Sequence, residues 1–368
     1  MPHREAFLRP LFVKQLDLVI LFVTSICNAR CRTCFYWLEL NKKGDMSFDE
    51  IRKLSESMPR FSDLWISGGE PFLRKDLAEI IHLFYSNNQI RDVRIPTNGL
   101  PTAQTLTIVK KILNSCSDIQ LEVDLSIDGF KETHDQLRGV PGNFESSLVT
   151  LTELNKLKES HPNLELFINS VITVENENQI VELGRSFRRR PEVDGHYFQI
   201  IRGDPMDPKL KKVSPKKLDE IYNGVIPIND EYVTISRKKN RQVLADWIRR
   251  AYWKAGYRFS YETQYQNYVN RTNWKMPCTA GRTSIVIDYN ADVRVCELRK
   301  PIGNLRKYDM DFRKFWISSA RKNEVKSVGY DKCFCTHICF MYDSMRHSKR
   351  VMLWDLPKTY LKSIFEKK

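Results

Sequence analysis

An α/β fold, six strand–helix units curled into a partial (β/α)6 barrel, is predicted for this chain from three observations. Short runs rich in Val, Ile, Leu and Phe recur at 18–23, 64–67, 92–95, 120–127, 164–171 and 197–201. The stretches between them have helical spacing, and strands alternating with helices form parallel βαβ units with right-handed crossovers. Six units fall short of the eight that close a TIM barrel, so the expected form is TIM-like but open.

Each element has its own local reason. Ser47 with Glu50 is a capping box opening a helix whose Phe48, Ile51 and Leu54 share a face. Leu77, Ile80, Ile81 and Phe84 form the stripe of the next helix. "TLTIVKKILNSC" is helical and ends in Cys116, read as a buried apolar filler. Phe144, Leu148, Leu151 and Leu154 make a further stripe. All of these are read as core packing against the sheet. Residues 1–203 would form the barrel. Residues 204–277 begin with the linker-like "GDPMDPKLKKVSPKK" and continue as a basic, aromatic, helical bridging region. Residues 278–342 carry five cysteines and a strand–turn–strand, "TSIVIDYNADVRVC", turning at Asn290-Ala291-Asp292. Residues 343–368 are a basic amphipathic tail, expected to pack on the body as a final helix, with membrane association the lesser alternative.

The net charge of +14, from 59 basic and 45 acidic residues, points to an anionic partner. The N-terminus lacks the order of a signal peptide, and its apolar run is interrupted by Asp17 and too short to cross a bilayer. A cytoplasmic location is expected, where thiols stay reduced. Nine cysteines there point to metal or redox chemistry rather than disulfides.

In a parallel sheet the site lies at the carboxyl ends of the strands. After the first comes "SICNARCRTCFYW", with Cys27, Cys31 and Cys34; after the second, Gly68-Gly69-Glu70-Pro71. Thr97 and Asn98 end the third, Ser126 and Asp128 the fourth, Asn169 and Ser170 the fifth, and Ile200 and Arg202 the sixth. Three thiols are one short of a closed zinc site. They would leave one iron of a 4Fe–4S cubane open to a small molecule bearing an amine and a carboxylate. Glycines allow close backbone approach, and hydroxyl, amide and carboxylate groups suit a ribose and an amino acid.

C-x3-C-x2-C after the first strand, with "GGEP" after the second, resembles the radical S-adenosylmethionine (SAM) superfamily over residues 15 to 203. The resemblance implies that Cys27, Cys31 and Cys34 hold a 4Fe–4S cluster whose unique iron binds S-adenosylmethionine. It further implies that Gly68, Gly69, Glu70 and Pro71 lie near the methionine amine, that Thr97, Asn98, Ser126 and Asp128 lie near ribose or carboxylate, and that Ile200 lies near adenine. One departure is Thr33, where the superfamily often has an aromatic residue before the third cysteine. A zinc site completed from elsewhere is the competing reading, and the coincidence with "GGEP" argues against it.

The late cysteines resemble the SPASM/Twitch extensions of that superfamily: Cys278, a hairpin, Cys296, then "CFCTHIC" with Cys333, Cys335 and Cys339. One auxiliary 4Fe–4S cluster is implied, with Cys278 and Cys296 as ligands and two of the last three completing it. His337 is a less favoured substitute, and four thiols would also suit zinc.

The resemblance implies an enzyme that cleaves S-adenosylmethionine to a 5′-deoxyadenosyl radical and abstracts a hydrogen atom from an unactivated carbon. An auxiliary cluster then suits an oxidation or a crosslink. The expected substrate is small, phosphorylated or sugar-like. The first alternative is a ribosomal peptide or protein; the second is RNA modification or nucleic-acid binding, against which stands the lack of an RNA-binding module. An electron donor such as flavodoxin or ferredoxin is the expected protein partner.

Overall fold

In the computed structural model the described residues are 9–235, 243–330 and 335–365. Six parallel strands appear where expected: β1 (Leu18–Phe22), β2 (Asp63–Ser67), β3 (Asp92–Thr97), β4 (Gln120–Ser126), β5 (Leu164–Ile172) and β6 (Gly195–Ile200). The helices between them are α1 (Phe48–Ser57), α2 (Leu77–Asn88), α3 (Thr102–Ser115), α4 (Lys131–Arg138), α5 (Asn143–Leu157) and α6 (Ile180–Arg188). The capping box forms: Ser47 Oγ accepts from the Glu50 amide at 3.2 Å, and the Glu50 carboxylate accepts from the Ser47 amide at 2.8 Å. The apolar stripes of α2 and α5 enter one core with the outward faces of the strands, and so do Ile51 and Leu54 of α1, whereas Phe48, in the first turn of that helix, is exposed and packs outside the core. Cys116 is fully buried in that core, as expected of a filler.

The sheet continues beyond the six expected strands. Its order is β6-β5-β4-β3-β2-β1-β7-β8-β9, where β7 is Ser284–Ile287, β8 Asp292–Arg294 and β9 Gly303–Asn304. β7 pairs in parallel with β1, Leu18 opposite Ser284. β8 and β9 then run antiparallel. The predicted hairpin is therefore an extension of the barrel sheet rather than a separate sheet, because Ser284, Ile285, Val286 and Ile287 bury both faces as a parallel strand must.

The bridging region holds α7 (Pro215–Ile235) and α8 (Val243–Asn270). Three further helices follow the sheet extension, α9 (Phe312–Trp316), α10 (Ser319–Tyr330) and α11 (Ile338–His347). The tail ends in α12 (Leu356–Phe365), whose Leu356 packs with Met345, Met352 and Ala255 of α8.

The concave side of the sheet is polar. In β3 and β4 the residues alternate, with Val93, Ile95, Leu121, Val123 and Leu125 packed under the helices. Arg94 and Glu122 project to the other side. There the Arg94 guanidinium lies 4.6 Å from the Trp65 ring and 5.6 Å from that of Tyr197, and meets Glu122 at 3.4 Å. Tyr197 donates to the same carboxylate at 3.1 Å. Burial of charged groups at this level demands such pairing.

Candidate active site

Residues 24–34 cross the carboxyl ends of the strands and are clamped from three directions. On one side the Gly69 amide donates to Thr24 O and the Glu70 amide to Ile26 O, both at 2.8 Å. A Cβ on Gly69 would sit 2.2 Å from Ile26 O, and one on Gly68, at φ +137°, 2.4 Å from Thr24 O. The glycines thus serve first to let β2 approach the cysteine loop itself. On the opposite side the Arg30 and Arg32 amides donate to Arg138 O and Leu137 O at 3.2 and 2.8 Å. In the middle Asn98 Nδ2 donates to Asn28 Oδ1 at 2.7 Å.

So held, Cys27, Cys31 and Cys34 open on one cleft with Gly68, Gly69, Glu70, Thr97, Asn98, Ser126, Asn169 and Arg138. Burial pushes the thiol of Cys27 up to about 11 and that of Cys34 to about 12. A metal must therefore displace their protons to bind.

Glu70 is buried, and its oxygens are taken by the Asn98 amide (2.7 Å), Thr97 Oγ1 (3.0 Å) and the Phe72 amide (3.2 Å). Burial raises it to about 7 against the pull of those donors. It ties the glycine turn to the end of β3. Three other expected contacts lie off the cleft. Pro71 begins a short helical turn behind it. Ile200 packs in a second core with Leu137, Ile172 and Val213. Asp128 is fully buried, accepting from the Val171 amide at 2.8 Å and pairing with Arg138 at 2.9 Å. Each points away because the end of its strand is also where a loop must be anchored.

Arg138 is the residue that sequence reasoning missed. Its Nη2 meets Asp128, and its Nη1 lies 3.7 Å from Cys31 Sγ, so a cation stands beside the three thiols of the cleft. The only sequence signal was an Arg-Gly ending α4, Gly139 at φ +67° with room for no Cβ beside Arg30 O. Arg138→Gln is expected to lower stability by about 3–5 kcal/mol, because it strands the buried Asp128 charge. Thermal unfolding measures this loss, and an Asp128→Asn, Arg138→Gln double variant should recover part of it.

The second cysteine group forms around the sheet extension. Burial, reinforced by the neighbouring thiols of Cys335 and Cys278, raises the Cys296 thiol well above its ordinary value. Cys339 lies in the first turn of α11, raised by burial to about 11. Cys333 lies outside the described residues. The ligand atoms of Glu297, His337 and Cys339 lie within 4.8 Å of one another. The His337 ring nitrogen is engaged by Glu297, which also meets Arg202 at 3.3 Å.

Arg202 joins the two groups. Its guanidinium lies 4.9 Å from the ring of Phe35, next to Cys34. It donates to Gln199 at 2.7 Å, and Gln199 donates at 2.7 Å to Asn169, which lines the first cleft. A side-chain path, Asn169–Gln199–Arg202–Glu297–His337, therefore runs from one set of thiols to the other.

Known proteins resemble this chain in both sequence and shape. The family model described as "Radical SAM superfamily" matches residues 21–186. A probable GTP 3′,8-cyclase of Methanococcus maripaludis is 27% identical over 319 residues, 83% of this chain and 94% of its own. An AdoMet-dependent heme synthase of Methanosarcina barkeri is 29% identical over 216 residues, 57% of each chain. Among solved structures, anSMEcpe with bound AdoMet and a Cp18Cys peptide aligns with TM-score 0.57 at 16% identity, over 96% of this chain and 97% of its own. Streptococcus suis SuiB bound to the precursor peptide SuiA aligns with TM-score 0.57 at 17% identity, over 88% of this chain and 70% of its own. At such identities these structures establish a shared fold.

Proposed function

Since residues 21–186 belong to the radical SAM superfamily, we propose that this enzyme oxidises a small neutral or cationic substrate held on the concave face of the sheet between two iron–sulfur centres. The observation that carries the reading is the path Asn169–Gln199–Arg202–Glu297–His337 between the two cysteine groups. The donor set fits the family's cofactors: three thiols on one loop, with Glu70 already engaged, suit a 4Fe–4S cluster that leaves an iron to S-adenosylmethionine. Cys278, Cys296, Cys335 and Cys339 would hold the auxiliary cluster, which would give the site an acceptor for an electron. When bound, S-adenosylmethionine and the first cluster supply a 5′-deoxyadenosyl radical able to take hydrogen from carbon.

The chain's own residues supply binding and orientation. Arg138, held by Asp128, fixes one wall of the cleft beside Cys31. Asn169 and Ser126 offer hydrogen bonds, and Phe22, Phe35 and Tyr36 wall the cleft against water. Farther in, at the amino ends of β2–β4, a cavity of about 90 Å³ is lined by Trp65, Tyr197, Asp63, Asp92 and Glu122, with Arg94 and Arg346. Arg346 pairs with Asp63 at 3.2 Å, and Arg94 with Glu122. Those cations are already committed, which favours a hydroxyl- or amine-bearing substrate over the nucleoside triphosphate named for the cyclase relative. A peptide, as bound by SuiB and anSMEcpe, is the second reading, supported by the shared fold.

The test is isotope exchange under anaerobic, reducing conditions. A deuterated polyol or aminocyclitol should pass deuterium into 5′-deoxyadenosine. Transfer from GTP or from a peptide alone would overturn the substrate class. A separate variant, Cys296→Ala, is expected to keep about four irons and S-adenosylmethionine cleavage while losing substrate oxidation. Unimpaired oxidation would remove the second centre from the reaction.

A further inference from the structure

We propose that α12 and the turn before it form a docking face for an anionic lipid bilayer. One side of this segment is spent on the fold. Leu356 is buried beside α8, and the Tyr360 ring meets that of Trp247 edge-on at 6.0 Å. The other side has no cover among the described residues. Leu353, Trp354, Leu361, Ile364 and Phe365 are all exposed, Trp354 at 68% and Phe365 at 71%. Their spacing, 353/354, 361 and 364/365, places them on one helical stripe. Trp247, exposed on α8, borders the segment through Tyr360, and the exposed Phe12 lies 6.0 Å from the ammonium of Lys349. Large apolar side chains exposed along one stripe point to an interaction site rather than to scattered exposure.

Charge selects the occupant. Within 349–365 the exposed Lys349, Arg350, Lys358 and Lys362 stand against one carboxylate, Asp355, and even with Arg350 spent on Asp355 at 3.5 Å the segment stays net basic. A second copy of the chain would set these cations against their own equivalents, since a two-fold contact pairs a patch with itself. Anionic headgroups match them, while tryptophan favours the headgroup level and lysine stems reach out of an apolar layer to water. No helix among the described residues is long and apolar enough to cross a membrane, so the segment would lie on the surface.

The test uses the full, cluster-loaded chain and vesicle flotation. Vesicles of phosphatidylcholine mixed equally with phosphatidylglycerol should carry the protein; phosphatidylcholine alone should not, and added salt should release it. Lys358→Glu with Lys362→Glu is expected to cut the bound fraction about tenfold or more, as is Trp354→Glu with Leu361→Glu, both with unchanged iron content and circular dichroism. Failure to float with the anionic vesicles, or flotation indifferent to both pairs of substitutions, would overturn the proposal. So would a dimer in sedimentation that Trp354→Glu dissociates, because the stripe would then be a protein interface.

Discussion

Cys31→Ala is expected to abolish 5′-deoxyadenosine formation while leaving the second cysteine group loaded. Anaerobically reconstituted wild-type chain should hold about eight irons, and the variant about four. The loss should be complete rather than partial because Cys31 is one of only three thiols on a loop with no spare donor. Glu70, a carboxylate lining the cleft, is bonded to Thr97, Asn98 and Phe72. Arg138, 3.7 Å from Cys31, would then face an empty corner of the cleft. Iron analysis with chromatographic detection of 5′-deoxyadenosine decides the matter. Retained cleavage would move the site elsewhere, and about four irons in the wild type would remove one of the two centres.

Gly69→Ala should be nearly as damaging, through backbone alone. The added Cβ would meet Ile26 O at 2.2 Å and Ile26 C at 2.5 Å, and a backbone group cannot swing aside as a side chain can. Either β2 or the cysteine loop must move, at a cost of about 1–3 kcal/mol or more. Because Cys27 follows Ile26 directly, that movement displaces its thiol. The expected result is a lowered melting temperature together with poor iron loading of the first site and normal loading of the second. Gly142→Ala serves as the control: it has φ +78° but nothing within 4 Å of its Cβ, so it should cost only the left-handed backbone penalty of about 1–2 kcal/mol. Equal loading in the Gly69 variant would show that the close approach is dispensable.

The parts of the molecule that could be read from the chain are those whose signal is local. Strands β1 to β6 were marked by short apolar runs between helical stripes, and α1 by Ser47 and Glu50 three residues apart. Cys27, Cys31 and Cys34 announced themselves by spacing, and "GGEP" by standing one strand later. Other expectations depended on which way a strand end turns. Ser126 lines the cleft, but Asp128, two residues on, is buried against Arg138 and Val171. Ile200 faces the second core. Strand period says that neighbours point to opposite faces, but past the end of a strand that rule lapses.

The cysteine loop and its glycine turn were within reach of the linear order of residues, because three thiols spaced on one loop and a close-packed turn that wants glycine are both local signals. The joining of β7 to β1, the partnership of Arg138 with Asp128 and Cys31, and the line from Asn169 to His337 required the folded chain. Leu18 and Ser284, or Gln199 and Glu297, meet across gaps in which no periodicity connects them, and only burial and charge pairing in three dimensions bring them together.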